Sequence, residues 1–227
     1  MFLRRLYNSY FPSIRSDPSF NQTRTLFIAS IGNPEPEYKS TRHNVGHRMM
    51  DQLVDIYWKQ HLIKRGDYYY SSKYPNIVLF KSVDSYMNLQ GKPISKHFSK
   101  YNNNTNKKLI ILHDELQVDL GKYQIRKPGT SERGHNGLKS INQYMKNDYY
   151  KISIGIGRPN DRNQVTDHVL SKFNDREMEL LDFEVLPKCV EELEKLIKLD
   201  LNSSTSVIEK CEVKKSRIKK EDQSGST

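Results

Sequence analysis

The chain has 227 residues and a formal charge of +10, from 37 Lys and Arg against 27 Asp and Glu. Its hydrophobic content of 35% is enough for one ordinary domain, while no apolar run approaches the roughly 20 residues that cross a bilayer, so a soluble protein without a membrane partner is expected. Two cysteines, Cys189 and Cys211, exclude a disulfide framework and a four-cysteine zinc site and predict inert thiols in a reducing compartment.

The first 24 residues hold four Arg and one acid, and Leu3, Leu6, Tyr7, Tyr10 and Ile14 share a helical face that Pro12 interrupts. That composition predicts a mitochondrial targeting segment over 1–24, with a disordered start and a cytoplasmic protein as the alternative. "TLFIASI" (25–31) then predicts a buried strand feeding the loop Gly32-Asn33-Pro34. A helix is expected from Val45 to Gln60, because Val45, Met49, Leu53 and Tyr57 recur every four residues. A second strand over 76–82, a short helix over 91–103 and a third buried strand over 107–116 follow, the last ending in His113 and Asp114. Residues 121–127 read as an edge strand, 134–148 as a helix with Leu138, Ile141 and Met145 inward, and 149–159 as another strand. Residues 176–199 are strongly helical with a break near Pro187, and Glu191–Lys195 and Glu194–Lys198 stand in i,i+4 register. From Asn202 the chain turns polar, which predicts a disordered basic tail over 202–227. Strands alternating with helices predict the α/β class: a single three-layer α/β/α domain over 25–201, with a mixed, mostly parallel central sheet.

Polar residues gather where those strands end. Asn33 follows the first strand, Met87 and Asn88 follow the second, Asp114 ends the third, and His135 and Asn136 open a glycine-flanked helix. His43 lies just before the helix that follows strand one. In open α/β sheets ligands sit outside the carboxyl ends of strands. His43 and His47 are four apart, but no Glu stands between them and His43 precedes the expected cap Asn44, so no metal site is expected. A histidine can take a proton from water if a carboxylate fixes its tautomer, and Asp114 is the natural candidate. Gly134, Asn136 and Gly137 suit the binding of an oxyanion. Alone, His43 reads more simply as a capping or surface histidine; beside Asp114, Asn33, Asn88 and Asn136 the catalytic reading prevails. The chain lacks G-x-S-x-G and a cysteine near a histidine, which favours direct attack by water over a covalent intermediate. It also lacks the glycine loops that cradle nucleotides, so no cofactor is expected.

"IGNPEPEYKSTRHNVG", "YMNLQGKPI", "LHDEL", "GHNGLKSI" and "IGIGRP" stand in the order found in bacterial-type peptidyl-tRNA hydrolases, and the resemblance runs from Leu26 to Leu199. It implies a metal-free enzyme that cleaves the ester between a peptide and the 3′ ribose of tRNA; the segment 1–24 would make this member mitochondrial, and a monomer is the default expectation. By motif, His43 resembles the family's base, Asp114 its orienting carboxylate and Asn33 the amide that helps place histidine or substrate. Asn88 and Asn136 resemble the amides that bind the peptide and 3′ end, with Tyr38 and Met87 lining the same cleft and His135 shaping the loop. Lys127 resembles a lysine that grips tRNA phosphate, and Arg133 and Lys139 flank the same loop; for each cation a solvated surface residue is the plain alternative. A peptidyl-tRNA partner also accounts for the charge, since basic side chains gain affinity by releasing counterions from phosphates.

The chain departs from the family pattern at two places. Glu35 stands where a glycine is usual, which predicts a differently shaped, more acidic loop. Ser153 stands where an arginine is frequent, which predicts either that Lys151 or Arg158 substitutes or that tRNA is held more weakly. Two other functions compete: a catalytically inert RNA-binding module, and a hydrolase of small esters or amides.

Overall fold

A computed structural model describes residues 25–74, 76–101 and 107–199. The targeting segment expected over 1–24 and the basic tail expected over 202–227, with Cys211, lie outside the described residues. Strand β1 (Thr25–Ser30) leads to a 3-10 turn (Arg42–Asn44) and helix α1 (Val45–Gln52), which continues as a π turn (Leu53–Tyr57). A hairpin of β2 (Leu62–Arg65) and β3 (Tyr68–Ser71) precedes β4 (Ile77–Lys81), a 3-10 turn (Met87–Leu89) and α2 (Gly91–Tyr101). Then come β5 (Lys107–Glu115), β6 (Tyr123–Arg126), α3 (Asn136–Met145), β7 (Tyr150–Gly155), α4 (Val165–Leu170) and α5 (Asp175–Leu180). After a π turn (Leu181–Val185) the chain stays helical over 186–199, here α6. No helix among the described residues is long and apolar enough to cross a membrane.

The strands form one sheet in the order β2-β3-β4-β1-β5-β7-β6. Strands β4, β1, β5 and β7 are parallel, while the β2–β3 hairpin and β6 are added at the edges by antiparallel pairing. Alternation along the central strands sends side chains to two cores. Leu26, Ile28, Ile110 and Leu112 join Val45, Met49, Leu193 and Ile197 on one face; Phe27, Ala29, Leu109 and Ile111 join Ile94, Leu138 and Ile141 on the other. The result is the expected three-layer α/β/α domain with a mixed sheet, parallel across its four central strands and antiparallel toward both edges.

Three local expectations are corrected. The helix expected to Gln60 leaves α-geometry at Leu53, where the π turn begins. The hairpin β2–β3 escapes sequence reading because β2 is an exposed edge strand without apolar alternation, turning at Gly66 with φ +58. The break expected near Pro187 does not occur. The π turn Leu181–Val185 widens the helix one turn earlier, where proline's missing N–H and its ring would otherwise disturb the ladder.

Strand order reverses about β1: α1 carries the chain to β4 on one side, and α2 carries it back across to β5 on the other. The crevice therefore opens at the carboxyl ends of β1 and β5. Helix α1 starts directly on that edge. A Cβ at Gly46 would collide with the Leu112 carbonyl, so only glycine lets the 3-10 turn bearing His43 lie this close to β5.

Candidate active site

Asp114 is next to last in β5 and is 1% exposed. Burial alone would raise its pKa, but His43 and His135 more than reverse this and hold the carboxyl well below the usual range. His43 Nδ1 lies 2.9 Å from both Asp114 oxygens, and His135 Nε2 lies 2.8 Å from Oδ1. The His135 tautomer follows from its other side. As the N-cap of α3 its Nδ1 accepts the Leu138 N–H at 3.3 Å, so Nε2 carries the proton and donates to Asp114. His43 likewise donates from Nδ1, which leaves its Nε2 as the basic nitrogen available to the cavity. Burial would lower the His43 pKa, but the charge and hydrogen bond of Asp114 outweigh it and leave the pKa raised.

The three residues His43, Asp114 and His135 each offer a ligand atom within 4.8 Å of the others, a spacing that also suits a metal. The tautomers argue against that use. A metal on His135 Nε2 would move the ring proton to Nδ1, against the Leu138 N–H. His47 is not part of the group. It is fully buried, pairs with Ser30 Oγ at 2.9 Å, and has its pKa lowered to about 3 by burial and then by Lys81. The two histidines of "TRHNVGH" thus serve opposite sides of the turn.

Hydrogen bonds behind this group fix the loops that carry it. Asn44 was expected to cap α1, but its side chain makes no cap bond. It instead accepts from Asn33 N at 2.8 Å and donates to Asn33 O at 2.9 Å, locking the loop after β1 to the His43 turn. Asn33 Oδ1 accepts the Met87 N–H at 2.8 Å, which leaves its Nδ2 as the end that can donate to a ligand. His113 donates from Nδ1 to the Asp114 carbonyl and accepts from Ser153 Oγ at 2.9 Å; burial, then His135, lowers its pKa to about 3.

A cavity of about 440 Å³ opens over this group. Asn33, His43, Met87, Asn88, Asp114 and Asn136 line it, as the sequence predicts, together with His135 and Arg133. Gly137 packs so closely that a Cβ would sit 2.6 Å from Met87 Sδ, which holds the start of α3 against the Met87–Leu89 turn. Arg133 reaches Glu115 at 3.6 Å, and Arg126 reaches the same carboxylate at 3.4 Å. Tyr38 is not in the lining; its ring packs edge-on against Tyr86 at 6.3 Å, beside Met87. Lys139 is exposed one turn into α3. Lys127 is exposed too, but it follows β6 beside the amino end of β7 and borders a different groove with Leu26, Lys108, Tyr150 and Leu199.

The two departures take a definite form. Glu35 does not fall among the residues with positive φ, and Lys81 neutralises it at 3.1 Å while also binding Asp51 at 2.7 Å. Position 35 therefore does not need glycine's positive φ, and Lys81 offsets part of the acidic charge of the loop. Lys151 is not available to replace an arginine: it is fully buried, donating to Asn147 Oδ1 at 2.7 Å and to Thr130 O at 3.1 Å. Burial, then Arg126, lowers its pKa to about 8. Arg158 is the exposed cation of the pair. Cys189 is buried, and burial pushes its pKa up to about 12, which fits the inert thiol expected.

Sequence reading missed the second histidine on Asp114, the arginines on Glu115, and the wall formed by Val165, Thr166, Val169 and Leu170 of α4. The first had a signal: a histidine in N-cap position beside a motif residue. The others are long-range and had none.

A family model described as peptidyl-tRNA hydrolase matches residues 27–218. A peptidyl-tRNA hydrolase of Wolbachia sp. is 34% identical over 182 residues, covering 79% of this chain and 94% of the relative. A Schizosaccharomyces pombe protein named "Probable peptidyl-tRNA hydrolase" is 37% identical over 176 residues, covering 74% and 82%. The crystal structure of the Acinetobacter baumannii peptidyl-tRNA hydrolase superposes with a TM-score of 0.62 at 27% identity, covering 81% of this chain and 95% of that one. Matched along most of its length in sequence and in fold, the chain belongs to the peptidyl-tRNA hydrolase family.

Proposed function

We propose that the chain hydrolyses the ester joining a peptide to the tRNA 3′ ribose, by water activated at His43. The observation that carries this reading is the His43 imidazole, bound through Nδ1 to a buried carboxylate and bordering the cavity. Nε2 takes a proton from water as the oxygen attacks the acyl carbon. Asp114 keeps the proton on Nδ1 and stabilises the imidazolium. Side-chain amides of Asn88 and Asn136 donate to the oxyanion, and Asn33 Nδ2 holds the acyl group. As the bond to the 3′ oxygen breaks, the imidazolium returns its proton to that oxygen. Met87 lines the acyl site, with Tyr38 set behind it through Tyr86. A metal-free reaction, carried out by a monomer, is part of this reading.

Arg133, on the cavity rim, is placed for the phosphate nearest the reacting ester. Lys139 and Lys127 suit phosphates further along, since Lys127 lies about four strand residues, roughly 13 Å, from the level of Asp114. Lys127→Ala is expected to raise KM and to reduce the salt slope of binding by about one. An unchanged slope would remove Lys127 from the tRNA surface.

The test of function is a comparison of N-acylated aminoacyl-tRNA with free aminoacyl-tRNA, with EDTA present. Turnover of the blocked form alone, unaffected by the chelator, is expected. Binding without turnover would point instead to an inert RNA-binding module, and activity on simple esters to a general hydrolase. Residues 1–24 fit a mitochondrial targeting role, which import of a 1–24 reporter fusion would establish and a cytoplasmic reporter would refute.

A further inference from the structure

The wall of the cavity contributed by α4 has little core of its own. In a helix of six residues only Val169 is buried. Two attachments hold it. His168 Nε2 donates to the Ile156 and Gly157 carbonyls at 3.1 and 3.0 Å, at the end of β7. The other attachment is Arg42, the neighbour of His43. Arg42 N donates to the Ser171 carbonyl at 3.0 Å and its Nε to Ser171 Oγ at 3.2 Å. Its Nη2 lies 2.8 and 2.7 Å from the two Glu177 oxygens, and its guanidinium lies 4.8 Å from the centroid of the Phe173 ring. Glu177 is itself fixed, because it closes the capping box of α5 with Asn174. Thr41 adds a β-bridge to Lys172. The Arg42 side chain thus reinforces a set of backbone bonds that tie the segment following α4 to the turn that carries His43.

We propose that Arg42 is a positioning residue: clamped by Glu177, it sets α4 against the His43 turn and governs how tightly the acyl part of the substrate is held. The proposal rests on the reading that this cavity receives the peptidyl group. The clamp pair is only slightly exposed, 11% for Arg42 and 21% for Glu177, so its bonds are weakly screened. The ring of His43 keeps its own anchor on Asp114, so loosening the clamp affects binding before it affects proton transfer.

Steady-state kinetics of the full chain on N-acetyl-aminoacyl-tRNA test this with Arg42→Ala, Arg42→Lys and Glu177→Gln. Arg42→Ala and Glu177→Gln are expected to raise KM about fivefold, with kcat within about twofold and its pH midpoint unmoved. Arg42→Lys, which keeps the charge but not the fork, is expected to restore part of the loss. Amide exchange over 165–171 is measured in parallel, without substrate, and is expected to quicken in Arg42→Ala and Glu177→Gln. Unaltered exchange overturns the clamp whatever the wild-type enzyme turns over. So does a fall in kcat at constant KM, or kinetics equal to wild type. Absence of wild-type turnover would instead count against the hydrolase reading.

Discussion

His43→Ala is expected to lower kcat by a factor on the order of 10²–10⁴ while leaving the protein folded. The loss follows from the position of one atom. Nε2 is the only basic nitrogen left at the cavity surface by the three histidines around Asp114. His135 has its Nδ1 occupied by Leu138 N–H and its Nε2 proton given to Asp114. His113 spends both nitrogens on the Asp114 carbonyl and Ser153. Neither can take over. The fold survives because the Asp114 carboxylate keeps His135 as a partner, so the cost to stability is that of one lost hydrogen bond to a buried acceptor, about 1–3 kcal/mol. Single-turnover rates on acylated aminoacyl-tRNA and a thermal midpoint measure the two quantities separately. Activity near wild type in a folded variant would end the role given to His43. In the wild type, proton transfer needs His43 neutral, so the rate falls as pH drops through its pKa. Because Asp114 raises that pKa, the acid limb is expected above the usual histidine value.

The parts legible in the sequence are those with a local cause. The runs "LFIA" (26–29) and "LIIL" (109–112) are apolar at every position because both faces of β1 and β5 are covered, and continuous runs of that kind identify central parallel strands. Their ends mark the crevice, which is why Asn33, His43, Asp114 and Asn136 could be gathered before any coordinates. The resemblance of five ordered motifs adds roles that spacing alone leaves open. What was not legible is carried by contacts between distant segments. Nothing near Glu115 announces that Arg126 and Arg133 converge on it, and nothing in "VTDHVL" says that this short helix walls the cavity. Lys151 misleads for the same reason. Its ammonium is satisfied by Asn147 and Thr130, residues whose approach depends on the turn after α3. Pro187 misleads differently: a π turn relieves the conflict that proline creates, and sequence periodicity does not reveal π turns.

Asp114→Asn separates orientation of the histidine from its mere presence, and here the rate is expected to fall by roughly 10²–10⁴ with the acid limb of the pH profile displaced downward. The carboxylate accepts from two donors at once, His43 Nδ1–H at 2.9 Å and His135 Nε2–H at 2.8 Å. An amide has one acceptor oxygen and one NH₂. If its oxygen serves His135 at the Oδ1 position, its NH₂ takes the Oδ2 position and donates toward His43 Nδ1. That favours the tautomer with the proton on Nε2, where it cannot accept one from water. The pH shift has an independent sign. Burial lowers the His43 pKa and only the charge and hydrogen bond of Asp114 raise it, so removing the charge lets burial dominate. Rate falls and midpoint falls together, whereas a variant damaged only in packing would lose rate with the midpoint in place. A full pH profile of kcat for both proteins decides between them. A midpoint that stays put or rises would mean that His43 and Asp114 do not titrate as the coupled pair their 2.9 Å contact implies.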